Sequence, residues 1–584
     1  MLAKRILFTL FMLIFFSYFS FSQKVSPKDP YGSEPSVYVS TNGNDANPGT
    51  KALPFKTIEV AIDKAVIFGV NTIKIAEGVY TPGNGLNTGF SGVAIKHHDI
   101  KLIGGYSQDF EGVTGYSVLD GSRKIQAIIE VREVTNALIE NFVITGTTNR
   151  DKTEQKGGGI FLNNSSFSKI NNVISSNNQV GNGAGMCIIG DNNTIQNSKV
   201  IANNGENGAG IYVVGKYNNI VSFIAISNNS SIWGGVYING ISNTISDSTI
   251  SYNTSREGGG IYIDKGIGNK ILNSTINGNN ALNSGGGIFV NIGAGNYINS
   301  TIKENNSRDG GGIYLFKTTS LVVDGEISGN NASRNGGGVC IENSYKSTIN
   351  ANIIRNTSDS SGGGIFLRGD ENVINSTISE NSSKENGGGI CLVTGFKNTI
   401  SAKVQNNTAN KNGGGIYIEL SKGTIVKGSS VSGNKSGNIG GGVFTSKDSD
   451  TTITESAIVN NNSKLHGGGI AIYDSTNSSL LSSDITQNSA EITNSIVYLY
   501  KTEGVANLII SNCTIGSVSG GKGFGIYEDG INDITYQKII DNTFVEETLY
   551  RLYRDYYLDA SAFITAVNNP KFSGASEARG NKVK

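Results

Sequence analysis

From residue 157 to residue 470 the chain repeats one pattern: a run of glycines, a short aliphatic stretch, then polar turns rich in Asn and Ser. The plainest copies read Gly157-Gly158-Gly159-Ile160, Gly258-Gly259-Gly260-Ile261, Gly310-Gly311-Gly312-Ile313 and Gly467-Gly468-Gly469-Ile470. The last glycine returns every 25 to 27 residues from Gly159 to Gly469, with degenerate copies at Gly183-Ala184-Gly185, Gly208-Ala209-Gly210 and Trp233-Gly234-Gly235. With two decayed copies, Ser495–Tyr498 and Phe524–Tyr527, the pattern yields about 15 units, and a period of this length marks a stack of similar turns.

Each unit holds three extended pieces. One follows the glycines (Ile261-Tyr262-Ile263), one is of the type Asn243-Thr244-Ile245, and one of the type Ser274-Thr275-Ile276. Short, β-branched, alternating pieces bounded by Gly, Asn and Ser predict strands. They are too short for helices, and three successive glycines would break one. A leucine-rich repeat has a similar period, but it needs runs of leucine and a helical segment that this chain does not supply. The expected fold is all-β: a right-handed parallel β-helix solenoid of about 15 rungs, with stacked strands ~4.8 Å apart and a rod of about 70 Å.

The columns of the repeat have physical reasons. Aliphatic pairs one and three residues after the last glycine, such as Ile313 and Leu315 or Ile416 and Ile418, alternate onto one side, and the lumen is the dry side. An aliphatic residue precedes an asparagine by three in Ile250/Asn253, Ile276/Asn279, Ile302/Asn305, Ile327/Asn330, Ile378/Asn381 and Val431/Asn434. Asparagines stacked at such turns are expected to hydrogen-bond from rung to rung. The four cysteines read as packing residues without disulfides, because Cys340 and Cys391 lie two rungs apart, ~10 Å, too far to bridge.

Outside the repeat, residues 1–22 have the form of a secretory signal, with Lys4-Arg5 before an apolar run and Ser20-Phe21-Ser22 as the cleavage site. A leader spans 23–35. Residues 36–150 hold a cap and first irregular rungs, 151–545 the regular β-helix, and 546–584 a C-terminal cap. Ile58, Ala61, Ile62, Ala65 and Val66 share one helical face that ends at Gly69, predicting a helix over the first rung, where bare strand edge and core would otherwise be exposed.

The stretch Tyr38-Val39-Ser40…Asn44-Asp45…Asn47-Pro48-Gly49-Thr50…Pro54-Phe55-Lys56-Thr57-Ile58 resembles the entry segment of bacterial proteins with the pectin-lyase-like β-helix fold. The body, Ile/Val-x-x-Asn followed by Gly-Gly-Gly-Ile, resembles the polymorphic outer-membrane protein repeat. Together they cover nearly the whole chain after the signal. The resemblance implies polysaccharide lyases, glycoside hydrolases or non-catalytic adhesins as functional relatives.

Charge adds exclusions. Lys plus Arg and Asp plus Glu number 47 each, so the formal charge is zero, and no basic tract points to nucleic acid. A lyase would need a Lys or Arg base and calcium held by acids on adjacent rungs, yet no column stacks three acids. Glu342 and Arg368 are expected as a cross-strand ion pair. His97, His98 and His466 read as surface histidines, and the Asn42–Asn47 loop as a turn.

One surface does stand out. Two residues after the last glycine lie Phe161, Tyr212, Tyr237, Tyr262, Phe289, Tyr314, Phe366, Tyr417, Phe444 and Tyr527; Arg256, Arg308, Arg334 and Lys411 lie four before it. Flanked by inward aliphatics, the rings should face outward beside bare glycine, in a groove with a basic edge that Glu257, Asp309 and Glu385 partly neutralise. Tyr212, Tyr237, Tyr262, Tyr314, Phe366, Tyr417, Arg308 and Arg334 are the candidate ligand-binding residues. The expected protein is a secreted or cell-surface monomer, non-catalytic, that binds a polysaccharide or a host or matrix surface without a cofactor. The alternative is a polysaccharide lyase, on uronate polymers and with calcium as cofactor, or another polysaccharide-degrading enzyme of the pectin-lyase-like fold.

Overall fold

The computed structural model describes residues 31–584 except 33, 149–156, 449, 494, 502–506, 517–523, 531–535, 545–548, 553–555, 559, 568–576, 580 and 584. The segment read as a signal peptide lies outside the described residues. The fold is an all-β parallel solenoid of about 17 turns with almost no helix.

The strands after the glycines stack in strict order, for example Ile261↔Ile288↔Ile313↔Val339↔Ile365. The other two predicted pieces belong to a second parallel sheet, in which Ile245 pairs with Ile271 and Ile250 with Ile276. In some rungs the two run together as one bent strand, as in Lys270–Asn277 and Tyr297–Lys303. A third sheet, not anticipated from the sequence, consists of 12 short strands between the asparagine and the glycines, among them Thr254–Glu257, Asn280–Ser284 and Asn306–Ser307.

The rung count exceeds the expected 15 because the stack begins earlier. Strands Ser91–Ile95 and Ala127–Arg132 lie in register beneath Gly158–Asn163. They are separated by longer connections and carry no glycine triplet, so the period does not reveal them. At the other end, Glu577–Arg579 pairs in parallel with Lys538–Ile540 and extends the second sheet into the tail.

The lumen is a continuous column of fully buried Ile, Val and Leu, including Ile261, Ile263, Ile313 and Leu315. Each such side chain contributes roughly 1.5–3 kcal/mol. At one corner the asparagines form an unbroken ladder. Asn279 donates its backbone N–H and its Nδ2 to Asn305 Oδ1 at 2.9 and 3.0 Å, and its Nδ2 also reaches Ile250 O at 2.9 Å. Asn253, Asn305, Asn330, Asn381 and Asn434 repeat the arrangement. The residue before each ladder asparagine is left-handed, whether it is Gly278 (φ 61°), Arg355 (φ 54°) or Glu380 (φ 58°). A second, shorter ladder runs from Asn193 through Asn218, Asn243 and Asn269 to Asn296.

The helix spans Ile58–Ile67 and buries Ile58, Ala61, Ile62 and Ala65, packing chiefly on the strands Ser36–Val39 and Thr72–Ala76. Val66, expected on the buried face, is exposed instead. Asp45 in the preceding loop accepts the backbone N–H groups of Lys56 (3.0 Å) and Thr57 (2.8 Å) through Oδ1, so this loop is a turn locked onto the helix start. Among the described residues no helix is long and apolar enough to cross a membrane. All four cysteines are buried and unbridged, and Phe366 sits in register between Cys340 and Cys391.

Candidate functional site

The aromatic column lies on the outer side of the glycine-following sheet but is not an open groove. Tyr237 and Tyr262 are each 3% exposed and Tyr314 is 7%; Phe366 and Tyr417 are equally enclosed. With Phe289, Cys340, Cys391 and Phe444 they form a second apolar cluster separate from the lumen. The glycines explain the covering. Gly285 is left-handed (φ 67°), and a Cβ there would lie 2.8 Å from Phe289 Cβ and 2.6 Å from Ile288 O. Only a residue without a side chain lets the backbone pack this closely against the root of the Phe289 side chain. The last glycine of the triplet faces a different neighbour: a Cβ on Gly287 would lie 3.0 Å from Asn305 Nδ2 of the ladder. The glycine strip is therefore a roof over the rings rather than the floor of a groove.

The roof is altered at one place. Trp233 replaces the first glycine of its unit, and its partly exposed indole stacks on Tyr237 (centroids 5.8 Å) and Tyr262 (5.4 Å). Tyr212, also partly exposed, lies flat on Tyr237 at 4.6 Å with 5° between the rings. Beside this platform, Asp264 takes Asn291 Nδ2 at 2.9 Å, Tyr237 Oη at 3.3 Å and Asn239 Nδ2 at 3.4 Å. Burial, with the Asp264 carboxylate adding, pushes the Tyr237 and Tyr262 hydroxyls up, so both stay protonated. The patch thus combines flat apolar faces with a carboxylate, two amides and neutral phenols. Sequence reasoning missed Trp233 by treating it as a decayed glycine; that it is the sole tryptophan, set against the aromatic column, was the available signal.

Further along, Arg308 and Arg334 share one carboxylate. The Asp309 side chain is almost fully buried and accepts Arg308 Nε at 3.3 Å and Arg334 Nε at 2.7 Å. Both guanidinium groups are half-exposed, and their terminal nitrogens are not used in these bonds. Lys411 pairs with Glu385 at 2.8 Å, as the neighbouring acids suggested. Glu342 and Arg368 are in register but form no ion pair: Glu342 accepts the Tyr314 hydroxyl at 2.9 Å, and Arg368 lies over the Phe366 ring at 5.8 Å. The ring and the hydroxyl on the same outer face draw the two charges apart.

A second partly exposed aromatic group stands near the C-terminal end, where Tyr473 and Tyr500 stack at 4.2 Å. His466 is half-buried against Tyr498 (4.6 Å), with Nδ1 3.3 Å from Thr493 Oγ1. His98 Nδ1 accepts the Thr135 backbone N–H at 3.0 Å. Among the described residues no group of three or more His, Cys, Asp or Glu side chains is arranged to hold a metal ion.

Three solved structures are similar in part. A rhamnogalacturonan lyase is 15% identical over 60% of this chain and 84% of its own, with a TM-score of 0.28. The A-module of the Azotobacter vinelandii mannuronan C-5 epimerase AlgE6 is 12% identical over 78% and 93%, at 0.24. Tailspike protein 3 of bacteriophage CBA120 is 12% identical over 83% and 63%, at 0.22. At these identities and scores the likeness carries neither activity nor substrate to this chain. No curated protein sequence matches it. The family model described as "Right handed beta helix region" matches residues 234–403 and 396–569, more than half of the chain. With the parallel stack of strands and its luminal core, this match places the chain in the right-handed β-helix family.

Proposed function

We propose that the protein binds a polysaccharide on the outer face of its glycine-following sheet, as a non-catalytic secreted or cell-surface rod. The observation that carries this reading is the pair of partly exposed rings, Trp233 and Tyr212, backed by the buried Tyr237 and Tyr262 and set beside Asp264, Asn239 and Asn291. Sugar rings offer apolar C–H faces and hydroxyl edges. A site of flat aromatics with a few fixed polar groups matches both, and rigid Tyr and Trp side chains lose little entropy on binding. The glycine-and-asparagine repeat, which resembles that of polymorphic outer-membrane proteins, fits display at a cell surface.

The arginine pair supports an acidic polymer. Arg308 and Arg334 share the Asp309 carboxylate, with Glu342 also acting on Arg334, and their unused terminal N–H groups suit a carboxylate or sulfate ester.

The test is binding of the full chain to a panel of neutral and acidic polysaccharides, with calcium present. Trp233→Ala should weaken binding about tenfold while Trp233→Phe keeps most of it, and both should melt as cooperatively as the parent. Release of unsaturated or reducing sugars would overturn the non-catalytic reading. Unchanged binding by Trp233→Ala would remove the platform from the site.

A further inference from the structure

One rung carries a polar residue in an aliphatic column of the lumen, next to two corner columns that are already polar. Thr445 stands where the neighbouring rungs carry Ile418 and Ile472, and it is fully enclosed. Asp448, 2% exposed, lies at the next corner between Ser421 and Ser475. Its Oδ1 accepts the Ser421 backbone N–H at 2.8 Å, and its own N–H meets Ser475 Oγ at 3.3 Å. Thr451 follows, stacked between Thr424 and Ser478 in the column that holds Asn372 and Asn398 in earlier rungs.

Five buried oxygens here have no hydrogen-bond partner: Asp448 Oδ2, the Oγ1 atoms of Thr424, Thr445 and Thr451, and Ser478 Oγ. Buried polar atoms are almost always satisfied by protein, water or an ion. Within the lumen such a group, one of them a carboxylate oxygen, calls for an occupant. The donor set is oxygen only, which selects hard cations over transition metals. Among the described residues the charged side chain acting on Asp448 is Glu419, also negative.

We propose that the Asp448 corner is an internal site for a small hard cation, of the sodium or potassium class, held by Asp448 with the hydroxyls of Thr445 and Thr451 of the same rung. A single buried carboxylate balances one positive charge, whereas calcium sites gather more acidic ligands. Burial pushes the Asp448 carboxyl up to about 7, so a proton competes for the same oxygen, and the test belongs at pH 8, where the proton has left.

The experiment follows melting of the full chain at pH 8 and fixed ionic strength, replacing choline chloride stepwise by sodium or potassium chloride. The expected result is a saturable rise of about 2 °C or more, lost in Asp448→Asn and reduced in Thr445→Val. The wild-type titration stands without either variant. Equal melting in choline, sodium and potassium would overturn the proposal in favour of water or a protonated acid. A rise produced by micromolar calcium instead would overturn the monovalent assignment.

Discussion

Asn330 accepts two hydrogen bonds from Asn305 through one oxygen: Oδ1 takes the backbone N–H at 3.0 Å and Nδ2 at 2.9 Å. Asn330 Nδ2 in turn donates to Ile302 O and to Asn356 Oδ1, both at 2.9 Å. Every polar atom of the side chain is used and none meets solvent. Asn330→Ala should strand two buried donors on Asn305 and cost about 2–4 kcal/mol. In a stack whose rungs touch only their neighbours, the loss should be local. Native-state hydrogen exchange should quicken around Asn305 and Asn356 and stay unchanged near Asn488; uniform quickening would contradict the nearest-neighbour account.

Gly285 and Gly295 separate two costs of a side chain. Both are left-handed, at φ 67° and 59°, but a Cβ on Gly295 meets nothing within 4 Å. Gly295→Ala should cost about 1–2 kcal/mol from backbone conformation alone. Gly285→Ala should add a further 1–3 kcal/mol, approximately, from overpacking against Phe289. Equal denaturation midpoints for the two variants would refute the roof.

Arg334 reaches Asp309 through Nε, an atom lysine lacks. Arg334→Lys keeps the charge but loses the fork held over the buried carboxylate. Affinity for an acidic polysaccharide should drop several-fold and affinity for a neutral one should hold, read by titration at low and high salt. A parallel loss for both polymers would assign the pair to stability alone.

Burial against Tyr498 lowers the His466 pKa below its usual 6.5, with Asp529 opposing. The folded state therefore holds fewer protons than the unfolded chain just below that value. Stability should be full above about pH 6.5 and fall as pH drops through the lowered value. His466→Gln should flatten this part of the stability–pH curve, and an unchanged slope would exclude the histidine as its source.

Ile62, on the buried face of the N-terminal helix, is 1% exposed. If that helix closes the first rung, Ile62→Asp should open Ser36–Val39 and Thr72–Ala76 to exchange by at least 3 kcal/mol, roughly, while distant rungs hold.

The period, the inward aliphatic columns and the ladder asparagines were all legible in the chain, because each is a residue type tied to one position of the turn. Asn253 and Asn330 stand where the spacing put them. What was not legible depends on backbone sign and on short polar strands. The direction in which Gly285 bends decides whether Phe289 is open or roofed, and glycine permits either. Asn306–Ser307 forms a strand without a hydrophobic alternation to announce it. The rungs at Ser91–Ile95 and Ala127–Arg132 lack the glycine mark altogether. Trp233 reads in the sequence as a lapse in the repeat, although its partly exposed indole is what covers Tyr237 and Tyr262.

The register from Val236 to Ile470 passes through nine pairings without a slip at the glycine-following position. At ~4.8 Å per step, the Trp233 and Tyr473 patches stand about 43 Å apart along the axis. That distance is quantised. Because each rung offers the next the same donors and acceptors, removing or duplicating one unit would move the patches by one step and leave every contact type in place. The rod is in this sense a ruler, and its graduations are the asparagines.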